Sequence, residues 1–119
     1  MRATVAEVFS RIPLHGGRSG PADPRWPGGE PFAPAFGHGT MTVELYAPRG
    51  VDRQTPHRRD ELYVIVSGRG QYVHGALREP FGPGDVLFAP AFMEHRFEDF
   101  TDDLVAWVIF YGPDGGEQP

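Results

Sequence analysis

Short runs rich in β-branched and aromatic residues, separated by turns that contain Gly or Pro, dominate the chain after residue 38. The runs cover residues 39–47, 62–66, 71–74, 86–89, 95–97 and 104–111. Such runs are typical of β-strands, and no window sustains the period of an amphipathic helix. Many short strands at this spacing predict an all-β fold, either an antiparallel sandwich or a small barrel.

The two ends of the chain differ from this middle region. Residues 4–9 allow either an edge strand or a short helix, and we assign them to an N-terminal strand. Residues 13–34 hold six Pro and five Gly, with Trp26 and Phe32 as aromatic anchors, which predicts an irregular arm. The predicted organisation is an N-terminal strand and Pro/Gly-rich arm over residues 1–36, a β-domain over 37–112 and a flexible tail over 113–119.

Composition narrows the classes of function. The 119 residues suffice for one domain, and no stretch approaches the roughly 18 apolar residues of a membrane span. A net charge of −5 argues against nucleic acid as a partner, and the lack of a secretory signal pattern predicts a cytoplasmic protein. All 11 basic residues are Arg and there is no Asn, which is typical of a GC-rich bacterial genome. Because the sequence has no Cys, any metal must be held by His, carboxylate or other oxygen donors.

Two of the five histidines have neighbours that suggest a metal site. His57 lies four residues before Glu61, and we expect the two to face each other across a pair of strands. His95 opens a later strand after a glycine turn, a short apolar strand and a Pro-Ala break. The remaining histidines, at positions 15, 38 and 74, have no such context, and we interpret them as surface or turn residues.

Together these two segments resemble the cupin family. The first cupin motif runs from a glycine through His-x-His and a Glu to a second glycine, and the second runs from a Gly-Asp turn through a Pro and a His to an Asn. The matching residues are Gly50, His57, Glu61 and Gly68 for the first motif, and Gly84, Asp85, Pro90 and His95 for the second, with Asp99 in the place of the Asn. The resemblance implies a cupin-type double-stranded β-helix, a jelly-roll barrel that often holds one divalent metal ion.

The sequence departs from the cupin pattern at the first ligand. Thr55 stands where the family has the first His, Gln54 is beside it, and Phe92 replaces a glycine of the second motif. The resemblance therefore implies a metal site of His57, Glu61 and His95, with Gln54 or Thr55 as the candidates for a fourth position. Two imidazoles and a carboxylate suit Fe(II), and the same donors accept Mn, Ni, Co or Zn, so the ligand set does not name the ion.

The function expected from this site is metal-dependent catalysis on a small organic molecule, of the oxygenase, isomerase or lyase type. The alternatives are a small-molecule binder or sensor without turnover and, with less support, a structural barrel. Tyr63 shares a strand face with Glu61 and is the candidate catalytic proton donor. We expect Ile65, Phe88 and Phe97 to form an apolar lining around the site.

Two further expectations concern charge and assembly. Arg58 and Arg59 are either a clamp for a carboxylate or phosphate, or charges of a solvated loop. The arm can lie across a neighbouring subunit through Trp26 and Phe32, and cupins commonly pair, so we expect a homodimer.

Overall fold

The computed structural model, which describes residues 1–18 and 23–119, is built around eight strands in two antiparallel sheets. The strands are β1 Phe32–His38, β2 Met41–Tyr46, β3 Asp60–Ser67, β4 Gly70–His74, β5 Leu77–Phe81, β6 Val86–Ala89, β7 His95–Glu98 and β8 Val105–Tyr111. One sheet has the order β1-β2-β8-β3-β6 and the other β5-β4-β7. Every run predicted from the sequence is a strand, and the all-β fold is confirmed.

Aromatic side chains fill the space between the two sheets. Tyr63 from β3, Tyr72 from β4 and Phe97 from β7 are each almost fully buried. The ring centroids of Tyr63 and Phe97 lie 4.9 Å apart with the rings edge to face, the arrangement that aromatic quadrupoles favour. Burying each of these side chains contributes about 1.5–3 kcal/mol. This layer fixes the two sheets relative to each other, and hence the residues that each sheet brings to the interior.

The N-terminal strand that we predicted is wrong, because the segment is a helix, α1 Val5–Phe9, followed by a 3₁₀ turn. The hydroxyl of Thr4 accepts a hydrogen bond from the Glu7 N–H at 3.2 Å and caps the first turn. Val8 and Ile12 are fully buried against Leu45 on the outer side of the larger sheet. No helix in the described parts of the chain has the length and apolar character needed to cross a membrane.

Sequence analysis missed two strands, β1 and β5. Each lies at the edge of its sheet and contains a proline, Pro34 in β1 and Pro80 in β5. Proline lacks the N–H that a central strand needs, but an edge strand can face that position outward. The pairing of β1 with β2 also shifts register between Pro34 and Phe36, which interrupts the alternation on which sequence prediction relies.

The arm and the tail both contact the domain. Trp26 is buried in the main core, and Phe32, the first residue of β1, packs against it. The two aromatic anchors are therefore used within the chain, which removes the argument that they cover a neighbouring subunit. The homodimer itself stays a prediction. In the tail, the Glu117 N–H donates to Asp60 at 2.9 Å, so the segment that we expected to be flexible is bonded to the start of β3.

Candidate metal centre

The inner face of the larger sheet forms the floor of the candidate site. Strand β8 lies between β2 and β3, so the inward residues of the three strands form rows across the sheet. These rows are Thr42–Phe110–Glu61, Glu44–Val108–Tyr63 and Tyr46–Ala106–Ile65. The period of two along β3 therefore places Glu61 and Tyr63 on the same inward face, as the sequence predicted.

His95 approaches Glu61 from the opposite sheet. It opens β7, where it pairs with His74 of β4, and its side chain is buried. The Nε2 atom of His95 lies 2.9 Å from Oε1 of Glu61, and Nε2 of His57 lies 3.7 Å from the same oxygen. Ligand atoms of all three residues fall within 4.8 Å of one another. The structure thus brings together the three predicted ligands as a candidate metal site.

The hydrogen bonding of His95 shows that a cation fits between these groups. Its Nδ1 lies 2.8 Å from the carbonyl oxygen of Met93, and since a carbonyl only accepts, Nδ1 carries the hydrogen. In the neutral ring Nε2 is then a lone pair that faces a carboxylate oxygen. Within the described residues, neither His95 Nε2 nor Glu61 Oε1 has a hydrogen-bond partner, although both are buried. Two buried acceptors in contact need a positive charge between them, either a proton or a metal ion.

The electrostatics of the two histidines differ. Burial lowers the pKa of His57 below its ordinary value, although Glu61 acts in the opposite direction, so His57 favours the neutral form that can bind a metal. Burial also lowers the pKa of His95, but a proton on Nε2 would form a hydrogen bond with the Glu61 carboxylate and be attracted by its charge, and these effects raise the pKa above its ordinary value. Without a metal ion, a proton on His95 thus compensates the buried carboxylate.

His57 does not end a strand, contrary to our expectation. It lies in the irregular segment 47–59, and it comes close to Glu61 because it precedes β3, not because two strands pair. The N–H of Phe92 donates to the His57 carbonyl at 2.7 Å. The imidazole of His57 packs edge-on against the Phe110 ring, with the ring centroids 5.0 Å apart. Phe92 has φ +67°, the left-handed conformation that the family's glycine adopts easily. This strained residue helps hold the loop that carries His57.

The two candidates for a fourth ligand, Gln54 and Thr55, both line the cavity beside the three ligands. The hydroxyl of Tyr63 donates to Oε1 of Gln54 at 2.6 Å, and the Gln54 amide donates to Asp52 at 2.5 Å. The Thr55 hydroxyl accepts from Arg25 at 3.2 Å. We expected the two positions to face opposite ways on a strand, but the segment is irregular and both side chains reach the cavity.

Tyr63 therefore has a defined partner. It is fully buried, and burial followed by the charge of Glu61 raises its pKa well above its ordinary value, so its hydroxyl stays protonated. The catalytic role that we assigned to it stays a prediction, and what its hydroxyl does in this structure is to orient Gln54.

A cavity of about 240 Å³ opens beside the three candidate ligands. His57 and Glu61 belong to its lining, which also includes Trp26, Phe32, Val108 and Phe110 as apolar walls, with Arg25 and Glu44 as charged groups. His95 contacts Glu61 but lies outside the lining. The lining predicted from the sequence is wrong in detail. Ile65 and Phe97 are core residues outside this lining, and Phe88 faces outward with 46% of its surface exposed. Alternation along β6 explains the error, because Ala89, and not Phe88, points inward.

Sequence analysis missed Glu44, Arg25 and Trp26 as cavity residues. The alternation in β2 places apolar Val43 and Leu45 on one face, so Glu44 looks like a solvent-facing residue. The outer face is in fact covered by α1 at Leu45, and Glu44 is on the interior face. Burial first and the charge of Glu61 second raise the pKa of Glu44 to about 7. The one feature of the sequence that suggests an inward Glu44 is Tyr46, an aromatic residue two positions later that lies on the same face of β2.

The remaining candidates are engaged elsewhere. Arg58 forms a bidentate pair with Asp114 at 2.8 Å, and Arg59 donates to the Thr40 carbonyl and lies over the Phe110 ring. These contacts favour the interpretation of both arginines as loop charges. His15 is bonded to the Ala47 carbonyl and His74 to Glu79, while His38 is exposed at the end of β1.

Comparisons with known proteins agree with the geometry. The family model described as "Cupin domain" matches residues 42–111. An uncharacterized protein of Streptomyces coelicolor is 37% identical over 76 residues, which cover 62% of this chain and 72% of the relative.

Solved structures share the fold at lower identity. A Cupin 2 conserved barrel domain protein from Salinispora arenicola matches with a TM-score of 0.59 at 19% identity, covering 68% of this chain and 74% of that one. A DMSP lyase from Ruegeria pomeroyi matches with a TM-score of 0.53 at 23% identity, covering 61% of this chain and 39% of that one. At these identities the likeness concerns the fold alone. The two ordered motifs, the two-sheet architecture and the family match together place this chain in the cupin family.

Proposed function

We propose that this protein binds one divalent metal ion through His57, Glu61 and His95 and is a metal-dependent enzyme for a small organic molecule. The observation that carries the proposal is the contact between His95 Nε2 and Glu61 Oε1, two buried acceptors at 2.9 Å without a hydrogen-bond partner among the described residues. Bound metal would supply Lewis-acid or redox chemistry beside the cavity.

The chain's own groups have separate roles in this proposal. Glu61 and His95 are buried and preorganised by β3 and β7, while His57 is one-third exposed and lies at the entrance to the cavity. The apolar walls made by Trp26, Phe32 and Phe110 restrict water around the charged groups, which strengthens their electrostatic effect on a bound molecule. Gln54 is held by Tyr63 and Asp52 at the wall of the cavity.

The test begins with the ion. Protein purified without chelators and without a His tag is analysed for metals, then stripped and loaded with Fe(II), Mn(II), Co(II), Ni(II) or Zn(II). We expect one ion per chain in the wild type, and loss of that ion when all three ligands are replaced by Ala. Full metal content in the triple variant would contradict the proposal. His38→Ala is the matched control, because it removes an exposed imidazole on β1.

The second step separates catalysis from binding. Each metal form is offered aromatic diols, 2-oxo acids and hydroxy acids while oxygen uptake and product are followed. Turnover with a redox ion that Zn(II) does not support indicates an oxygenase, and turnover without oxygen uptake indicates an isomerase or lyase. Ligand binding without product for every ion would replace the enzyme by the second candidate, a binder or sensor.

A further inference from the structure

Glu44 is a cavity carboxylate that the candidate metal site does not use. It lines the cavity from β2 and is half-buried, and its carboxylate forms no hydrogen bond or ion pair with another side chain in the described parts of the chain. The cation in the same lining, Arg25, already binds Asp23 at 3.1 Å and the Thr55 hydroxyl. Partial burial of a carboxylate without a partner is unfavourable, so an apolar residue would be favoured at this position if it served packing alone.

The sheet places Glu44 at a defined distance from the candidate ligands. Glu44 is on β2 and Glu61 on β3, with β8 between them, and neighbouring strands are about 4.8 Å apart, so the two backbones are about 10 Å apart. Val108 and Phe110 of β8 form the floor between the two carboxylates. A small molecule lying on this apolar floor would have the ligand set at one end and Glu44 at the other.

The size and charge of the cavity limit what such a molecule can be. A volume of about 240 Å³ is below the roughly 300–1,000 Å³ typical of drug-sized ligands, so the molecule is small. Glu44 offers acceptor oxygens, and no cationic side chain among the described residues forms an ion pair with it. Burial first and the charge of Glu61 second raise its pKa to about 7. A hydrogen-bond donor on a molecule in the cavity would therefore have acceptor oxygens of Glu44 available to it.

We propose that Glu44 is the specificity-determining residue of this cavity and binds a hydroxyl or ammonium group at the end of the ligand remote from His57, Glu61 and His95. The ligand class is a short, bifunctional organic molecule, with an oxygen donor at one end and a hydrogen-bond donor at the other. The oxygen-donor end rests on the proposed function, whereas the contact with Glu44 does not.

The experiment measures binding of a matched series of probes. The sequence has two tryptophans, so Trp107→Phe leaves Trp26 of the cavity wall as the fluorescent reporter. Zn(II)-loaded protein is titrated with carboxylic acids of three to six carbons that are unsubstituted, ω-hydroxylated or ω-aminated. We expect a hydroxy or amino acid of one chain length to bind at least tenfold more tightly than its unsubstituted counterpart.

Two substitutions of Glu44 show whether the ligand's hydrogen-bond donor is a hydroxyl or an ammonium group. Glu44→Met removes both acceptor oxygens and keeps a similar side-chain volume. The affinities of the three acids should then lie within twofold of one another, and the affinity of the unsubstituted acid should not change. Glu44→Gln keeps an acceptor but no charge, so it should retain a preference for a hydroxyl and lose one for an ammonium group. Glu7→Gln, on exposed α1, is the control and should change nothing.

Several results would overturn the proposal: a preference that persists in Glu44→Met, equal binding of all three acids to the wild type, or no binding of any acid to protein of full metal content.

Metal analysis of the same samples tests the proposed function separately. If no metal is retained, metal-free protein is titrated with 1-butanol, butylammonium and butane. A tenfold preference for one donor that Glu44→Met abolishes would still support the role of Glu44, and equal binding would exclude it.

Discussion

Nε2 of His95 and Oε1 of Glu61 are 2.9 Å apart, yet they belong to different sheets. Their contact exists only when the aromatic layer between the sheets has closed, because β3 and β7 are not neighbours in either sheet. A metal ion that binds both residues would therefore join the two sheets. An ion that binds the folded state but not the unfolded state stabilises a protein by an amount that grows with the logarithm of the ion concentration divided by Kd, so an ion bound here would couple metal binding to stability.

The first prediction follows from this coupling. Saturating Zn(II) should raise the melting temperature of the wild type, and Glu61→Ala or His95→Ala should abolish the rise because each removes a buried ligand. We expect Zn(II) affinity to fall by at least about 100-fold, since even indirect partners of metal ligands are worth 10–100-fold. Affinity should also fall as pH decreases, because both imidazoles must be deprotonated to bind. Thermal unfolding with and without the ion is the measurement, and an unchanged rise in His38→Ala is the control.

The second prediction concerns the missing ligand of the first motif. Thr55→His should tighten Zn(II) binding at least tenfold, because this position lines the cavity beside His57 and its hydroxyl is held, among the described residues, by the exposed Arg25 alone. Gln54→His is the matched comparison. It breaks bonds to Tyr63 and Asp52 and should lower the free energy of unfolding by about 1–3 kcal/mol without a comparable gain in affinity. Equal gains at the two positions would show that the motif has been aligned incorrectly.

The third prediction concerns the left-handed residue Phe92, at φ +67°. A side chain in this conformation costs about 1–2 kcal/mol, while Gly adds about 0.5–1 kcal/mol of unfolded-state entropy. Phe92→Gly should therefore be more stable than Phe92→Ala by roughly 0.5–1 kcal/mol, which denaturant unfolding measures. Both variants lose the contact with Arg58, so the comparison isolates the backbone. Equal stability would mean that the loop carrying His57 relaxes without strain.

The residues of the candidate metal site could be predicted to lie together because their placement depends on local spacing and on turn glycines. Gly68 illustrates this, since it has φ +92° and an added Cβ would lie 2.6 Å from Cα of Leu104, so the motif glycine is required by a close approach of two chain segments. Asp99 shows the same logic with a different residue, because at φ +51° it occupies a conformation that Asp and Asn tolerate. Such requirements are visible in a sequence.

The cavity could not be predicted because its lining depends on which sheet face is covered. Glu44 was not predicted as a cavity residue, and Phe88 was wrongly predicted to line the site. In β2 the helix α1 covers the face opposite Glu44, and in β6 the small Ala89 points inward beside Glu61. Arg25 and Trp26 come from an irregular arm whose path has no periodic signal. These placements are set by tertiary packing.

The fourth prediction is that Glu44 makes stability depend on pH. The pKa of the Glu44 carboxyl is about 7 in the folded state and about 4.5 in the unfolded chain. Between these pH values the folded state binds more protons than the unfolded state, so the free energy of unfolding decreases as pH rises from about 4.5 to about 7. At 1.36 kcal/mol per pH unit, the loss by pH 8 is at most about 3.4 kcal/mol. Metal-free Glu44→Gln should match the wild type near pH 4 and be more stable at pH 8, as denaturant unfolding across this range measures. Zn(II) should reduce the stability difference between the two proteins at pH 8, because a cation bound at Glu61 offsets the negative charge that raises the pKa of Glu44. A slope that survives in Glu44→Gln would assign the dependence to another group.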